Sequence, residues 1–304
     1  MFLSIVNSLP YQISGEGLAF LKKLTFNKVS KDKSSGRGIE MLQNKTSLAK
    51  KTAVKGYLSG MMVFEFFSAN MPSIAAAAGA DFLMYDMEHT GITTETLREQ
   101  MAACRGLDIV PLVRVPSSEA NIIGQVLDIG AHGIMVPMVE TVAHAEQIVR
   151  RAHYPPEGRR GTAFSIAHDA FTDGHPVEKM KQANDQTLVI AMIETAEGLK
   201  NVGQIAAVPG VDVLWLGHFD LTSSMGIAGQ LDHPDYIAAV EIISAAANAQ
   251  NKMAGYMAIN KDFAAHYWSA GYRMLAYGLD HLLLMAALKD GLSFIDKLAK
   301  TETG

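Results

Sequence analysis

The sequence predicts an α/β chain of the TIM-type (β/α)8 barrel class. From residue 54, eight short apolar runs alternate with helix-like stretches of about 10–18 residues. Several runs lack polar alternation, as expected of parallel strands covered on both faces. Polar residues gather just after the runs: Glu88 and His89, then Arg114, Glu194 and Asp220. Barrels carry their catalytic groups at that rim. A doubly wound sheet uses similar units but offers a glycine-rich phosphate loop after its first strand. Neither GxGxxG nor GxxxxGKS/T occurs here.

The strands are expected at 54–66 (for part of that span only), 82–87, 109–115, 133–139, 188–194, 211–217, 253–259 and 272–277. Segments 94–104, 142–153, 195–206 and 236–248 repeat their apolar residues at three- and four-residue steps, the mark of a helix with one buried face. Gly79 and Gly106 sit where helices end before strands, and Pro234 stands just ahead of a first helical turn. The connection from Thr141 to Thr187 is long. It is read as a helix, a loop over 154–176 and a second short helix, with the loop expected to line a site or an interface.

With 304 residues, 49% of them hydrophobic, the chain can bury a large core. Residues 1–53 read as a basic N-terminal extension, ahead of a catalytic barrel over 54–304. Residues 1–55 hold ten Lys/Arg against three Asp/Glu, although the whole chain is at −5. Basic residues begin only at Lys22, and Glu16, Asp32 and Glu40 interrupt them, so the segment lacks signal-peptide order. The charge balance gives no nucleic-acid footprint. No apolar run reaches the roughly 20 residues needed to span a bilayer. The single Cys104 excludes an internal disulfide and a multi-cysteine metal cluster. A cytoplasmic protein is expected.

Glu194 ends the apolar run LVIAMIE, and Asp220 follows the next, VDVLWLGHFD. Two strand-end carboxylates with water and a chelating substrate suit Mg²⁺ or another hard divalent ion, although polar residues also simply terminate strands. Arg114 lies in PLVRVP, where packing alone does not favour a long cation. It can grip a carboxylate with two N–H groups, stabilise developing negative charge, or form a structural salt bridge. In YDMEHTG, His89 has the intrinsic pKa for proton transfer and Asp86 is a carboxylate to orient it; a structural histidine is the alternative. There is no GxSxG elbow, and no lysine at an expected strand end. A metal-stabilised enolate therefore fits better than an iminium intermediate.

These segments together resemble the HpcH/HpaI aldolase family, also called the 2,4-dihydroxyhept-2-ene-1,7-dioic acid aldolases. The resemblance spans about residues 54–295. It rests on DFLMYDMEHTG at 81–91, PLVRVP at 111–116, LDIGAHGIMVPMV at 127–139, YPPEGRRG at 154–161, MIET at 192–195 and LGHFDLTSSMG at 216–226. It implies a divalent-metal-dependent class II lyase or aldolase acting on a small 2-oxo acid and an aldehyde. Mg²⁺ or Mn²⁺ is first choice by oxygen chemistry, and Co²⁺ is admitted by the resemblance. It also implies a homohexamer, a trimer of dimers with the last barrel helix exchanged between neighbours.

By the same resemblance, Glu194 and Asp220 bind the metal, Arg114 holds the pyruvate-like substrate, and His89 is the acid/base with Asp86 beside it. Asp128 matches an acid near the adjoining subunit's site, and Arg160 belongs to the long-loop motif of the substrate shell. Two segments depart from the family pattern. Met192 replaces a glutamine, and GHFDL, with Gly217, His218 and Phe219, replaces a GPADL-like stretch. Both remodel the substrate shell and leave the metal acids intact. A 2-oxo-acid decarboxylase or carbon–carbon ligase using the same enolate is the enzymatic alternative, and a non-catalytic binding barrel the other.

Overall fold

A computed structural model describes residues 46–302; the first forty-five residues of the basic extension lie outside the described residues. Eight parallel strands close a barrel in sequence order. They are β1 (Leu58–Val63), β2 (Phe82–Asp86), β3 (Val110–Arg114), β4 (Gly133–Val136), β5 (Leu188–Ile193), β6 (Val213–Leu216), β7 (Met253–Ala258) and β8 (Met274–Leu279). All eight expected strands are present, most of them shorter than the apolar runs that signal them. Helix α1 (Thr46–Lys55) precedes β1, so the span expected to contain the first strand begins inside a helix. Leu48 of α1 is buried with the interior side chains of the barrel, and Gly56, at φ +75°, turns the chain from α1 toward β1.

Between the strands run α2 (Met71–Ala77), α3 (Thr94–Cys104), α4 (Ala120–Asp128), α5 (Val142–Ala152), α6 (Pro176–Gln186), α7 (Ala196–Lys200), α8 (Val202–Ala207), α9 (His218–Ser224), α10 (Pro234–Ala249) and α11 (Lys261–Ser269). A long last helix, α12 (Asp280–Glu302), follows β8. The stretch expected as one helix over 195–206 is two. Asn201 breaks it, with Nδ2 donating to the Glu140 carbonyl at 2.8 Å and to Glu197 Oε1 at 2.9 Å. Among the described residues, no helix is long and apolar enough to cross a membrane.

The strand period of two sorts the side chains. In β5, Leu188, Ile190 and Met192 face the barrel interior, while Val189, Ala191 and Ile193 pack beneath the helices. Arg114 and Asp86 continue the inward rows Val110–Leu112 and Phe82–Met84, and the β2–β3 register sets them directly opposite each other. The interior is crowded. A Cβ on Gly255 would lie 2.3 Å from the Trp215 ring, so only glycine leaves space there for that indole.

The long connection has the expected order of helix, loop and helix. It holds α5, a short 3-10 turn (Ala167–Asp169) and α6, and it feeds straight into the start of β5. Its cavity-lining residues lie beside His132 and Ile109, where strands begin. In this chain the loop therefore sits at the end of the barrel opposite the catalytic rim.

Candidate active site

At the rim where the strands end, one cavity of about 210 Å³ gathers His89, Arg114, Met192, Glu194, Gly217, His218, Phe219 and Asp220. Other, larger hollows in the molecule lie along the long loop. The size suits a small molecule.

Arg114 is buried, and its Nε donates to Asp86 Oδ1 at 2.5 Å. Asp86 also accepts the backbone N–H groups of Glu88 and His89, at 3.1 and 3.0 Å. Fully buried, it fixes both the arginine and the turn that carries His89. It does not orient the His89 ring, as the sequence suggests. Instead Glu88 Oε2 lies 3.8 Å from His89 Nε2 and 3.3 Å from an Arg114 terminal nitrogen. Burial disfavours the Arg114 charge, but the bond to Asp86, with Glu88 and Glu194 nearby, holds its pKa above the ordinary value. The Phe64 ring faces the guanidinium, 5.7 Å away.

Glu194 continues the inward row of β5 and is buried. Its Oε1 accepts the Met138 N–H at 2.7 Å. Met138 holds φ at +55°, which is unfavourable for a side-chain-bearing residue. A Cβ on Gly217 would lie 2.3 Å from Glu194 Oε2, so Gly217 serves the site by leaving space for this carboxylate. Asp220 lies in the first turn of α9, exposed at the same cavity. Burial pushes the Glu194 carboxyl up to about 7. The Met138 amide opposes the shift, and Asp220 and Glu88 add to it. Three carboxylates thus face one arginine that Asp86 already neutralises. The His218 imidazole is buried beside Phe219 and Tyr256, with ring centroids 4.1 and 5.3 Å away, and burial lowers its pKa to about 4.

The opposite wall is apolar. Met62 and Phe64 come from β1 and its following loop, Met257 from β7 and Leu279 from β8. Asp280 secures this side. Its carboxylate accepts the backbone N–H groups of Phe64, Glu65 and Phe66 at 3.1, 3.0 and 2.7 Å. Burial works against its charge, but these bonds hold its pKa below the usual carboxylate value.

Asp128 and Arg160 are not brought to this cavity. They pair with each other at 2.6 Å, with Arg160 stacked over Tyr154 and Asp128 lining a separate groove at the far end. Arg160 is thus not among the residues that line this cavity, where the resemblance places it in the substrate shell.

Residues 60–287 match the HpcH/HpaI aldolase/citrate lyase family. The chain belongs to that family. A hydroxypyruvate/pyruvate aldolase of Roseobacter denitrificans is 36% identical over 225 residues, covering 74% of this chain and 86% of that protein. A 5-keto-4-deoxy-D-glucarate aldolase of Shigella boydii is 37% identical over 207 residues, covering 68% and 80%. The crystal structure of an HpcH/HpaI aldolase from Desulfitobacterium hafniense superimposes with a TM-score of 0.76 at 30% identity, covering 81% of this chain and 95% of that one. Membership makes the chain an enzyme, a carbon–carbon lyase of the aldolase type, and sets aside the non-catalytic barrel.

The HpcH/HpaI site is suited to a hard divalent cation. Glu194 Oε2 makes no hydrogen bond among the described residues, Gly217 leaves it unobstructed, and Asp220 stands free at the same cavity. Oxygen donors of this kind take Mg²⁺ or Mn²⁺. No cluster of three or more acidic, histidine or cysteine ligands occurs among the described residues, so these two acids would supply only part of a cation's shell. Sequence reasoning places Glu88 at the rim without a role, and leaves Phe64 and Asp280 out of the site. These last two depend on where β8 closes against β1.

Proposed function

We propose that the enzyme cleaves and forms 4-hydroxy-2-oxo acids through a pyruvate-type enolate, with a divalent cation held by Glu194 and Asp220. One observation carries this reading: a braced arginine, an exposed histidine and two unneutralised carboxylates face a single small cavity. The bound cation supplies Lewis acidity at the 2-oxo group, spreading the negative charge of the enolate.

The remaining steps fall to the chain's own residues. Nε of Arg114 is committed to Asp86 and one terminal nitrogen lies 3.3 Å from Glu88, which leaves its remaining N–H groups for the substrate carboxylate. Met192, buried where β5 ends, cannot donate a hydrogen bond, so carboxylate recognition rests on Arg114. His89 is exposed at the rim and takes the C4 hydroxyl proton, with Glu88 beside its Nε2. As that proton leaves, C4–O becomes a carbonyl, the C3–C4 bond breaks, and its electron pair passes into the enolate. A proton delivered to C3 completes pyruvate. Synthesis runs the same steps backwards.

The assembly in this reading is a homohexamer, a trimer of dimers. In support, α12 carries Leu284, Met285, Leu288, Leu292, Ile295 and Leu298 exposed to solvent, a stripe suited to cover a neighbouring copy. Asp128 then serves a neighbour's His89. The test is a metal-supplemented panel of 2-oxo acids and aldehydes with product identification. Formation of pyruvate plus aldehyde supports the reading. Release of CO2 from 2-oxo diacids without aldol cleavage replaces it with decarboxylation.

A further inference from the structure

The cavity is divided around the barrel. Strands β2, β3, β5 and β6 and the turns after them bring every charged group, while β7, β8 and β1, contiguous in the closed sheet, bring side chains without charge. Met257 is the last inward residue of β7, Leu279 ends β8, and Met62 and Phe64 extend the inward row of β1. Across this arc the lining is thioether, aliphatic and aromatic. Among the described residues, Arg114 is the only lysine or arginine that lines the cavity. Asp86 and Glu88 already contact it, and the proposed reaction assigns its remaining N–H groups to the carboxylate of the 2-oxo acid.

Among the described residues, a second carboxylate carried on the aldehyde half would meet no lysine or arginine other than Arg114. It would lie against an apolar wall that offers it no partner, while the proposed divalent cation is held by Glu194 and Asp220 on the other side of the cavity. Desolvating an anion without a partner is costly. An uncharged tail meets no such penalty and buries apolar surface against the methionines, which adapt to varied shapes. The wall is also firmly held, because Asp280 binds three successive backbone N–H groups of the loop bearing Phe64.

From this division we infer that the acceptor is an uncharged aldehyde with an apolar tail, bound against Met62, Phe64, Met257 and Leu279, and that acceptors ending in a carboxylate are disfavoured. The inference rests on the aldolase reading and narrows its substrate class. It departs from what conversion of 2-oxo diacids would require of the same cavity.

The experiment compares cleavage of two substrates by the metal-loaded enzyme. One is a 4-hydroxy-2-oxo acid with a propyl tail, and the other is its counterpart whose tail of equal length ends in a carboxylate. The expected result is a kcat/KM for the propyl compound higher by roughly tenfold or more. Equal or better cleavage of the carboxylate-tailed compound overturns the inference. Met257→Lys places a cation in the wall and is expected to move the ratio toward the carboxylate-tailed substrate by about tenfold. An unchanged ratio, with both substrates still cleaved, shows that the tail lies elsewhere and also overturns it. Exchange of the methyl protons of pyruvate with solvent is measured in parallel, because it needs only the donor half. Absence of exchange and of cleavage overturns the aldolase reading itself. Exchange and cleavage without the expected preference overturn only the acceptor assignment.

Discussion

The two ends of the barrel treat buried charge in opposite ways. Where the strands begin, Asp81 is fully buried and fully satisfied. Lys55 Nζ donates to it at 2.6 Å, Lys51 lies 3.7 Å away, and the Ser59 backbone N–H donates at 2.9 Å. The Arg160–Asp128 and Lys179–Asp169 pairs belong to the same end, at 2.6 and 2.7 Å, each charge meeting an opposite one although Arg160 Nε donates no hydrogen bond and Asp169 Oδ1 accepts none. Where the strands finish, Glu88, Glu194 and Asp220 share one arginine that Asp86 has already claimed. Charge at the first end holds the fold together. At the second the acids are left in excess, and in the proposed reaction a divalent cation offsets that excess.

Substitutions at the two ends should therefore have opposite signatures. The largest effect is expected for Glu194→Ala or Asp220→Ala. Calorimetric titration with Mn²⁺ should show binding abolished or greatly weakened, with cleavage lowered by about 10³-fold or more. The apo Glu194 variant should melt close to the parent, because the lost Met138 N–H bond is set against removal of a carboxyl whose burial disfavours its charge. Parental metal affinity in both variants would remove the two acids from the cation site.

Next in size is the proton-transfer group. His89→Ala should lower cleavage by roughly 10²-fold or more while sparing metal binding. Parental cleavage would end its acid/base assignment. Arg114→Lys keeps the charge and loses the planar fork, so cleavage should fall by about 10²-fold and a pyruvate-like inhibitor should bind more weakly.

At the other end Asp81→Ala should reverse the pattern. Chemical denaturation is expected to show a loss of about 2–3 kcal/mol, with kcat/KM unchanged. A fall in kcat/KM at full stability would mean that the ends are not separable in this way.

The smallest effect is a pH slope in the metal-free protein. The folded-state pKa of Glu194 is about 7, above the 4.5 of a free glutamate, so the folded state keeps the proton longer than the unfolded one. Its contribution to stability is greatest at low pH and declines as pH rises through that window, opposite to a salt-bridged carboxylate. Between pH 5.5 and 7 the decline should be roughly 1–2 kcal/mol, read as a falling melting temperature. Glu194→Gln or a saturating divalent cation should flatten it.

Much of this organisation can be read from the chain itself, for reasons that differ by residue. Glu194 is legible because it continues an alternation in which Leu188, Ile190 and Met192 point inward. Arg114 stands out as a cation where packing asks for none. The start of the barrel is obscured because the helix over Thr46–Lys55 runs into the first apolar stretch with only Gly56 as punctuation. The roles of Phe64 and Asp280 depend on a contact between residues more than two hundred positions apart, and no local pattern reports such a contact. Motif resemblance finds Arg160 and Asp128, but a motif has no direction. In this chain they pair at the end away from the cavity.

The Asp280 contact also says where the chain can be shortened. The anchor of the loop after β1 is the first residue of α12, so the barrel's closing seam depends on a residue that by position belongs to the tail. A protein truncated after Leu279 keeps all eight strands yet leaves the N–H groups of Phe64, Glu65 and Phe66 without their acceptor. One truncated a turn later retains that acceptor and discards most of the exposed leucines. The first residue of α12 thus belongs to the wall of the chain's own cavity, and the exposed remainder of the helix is not needed to hold it.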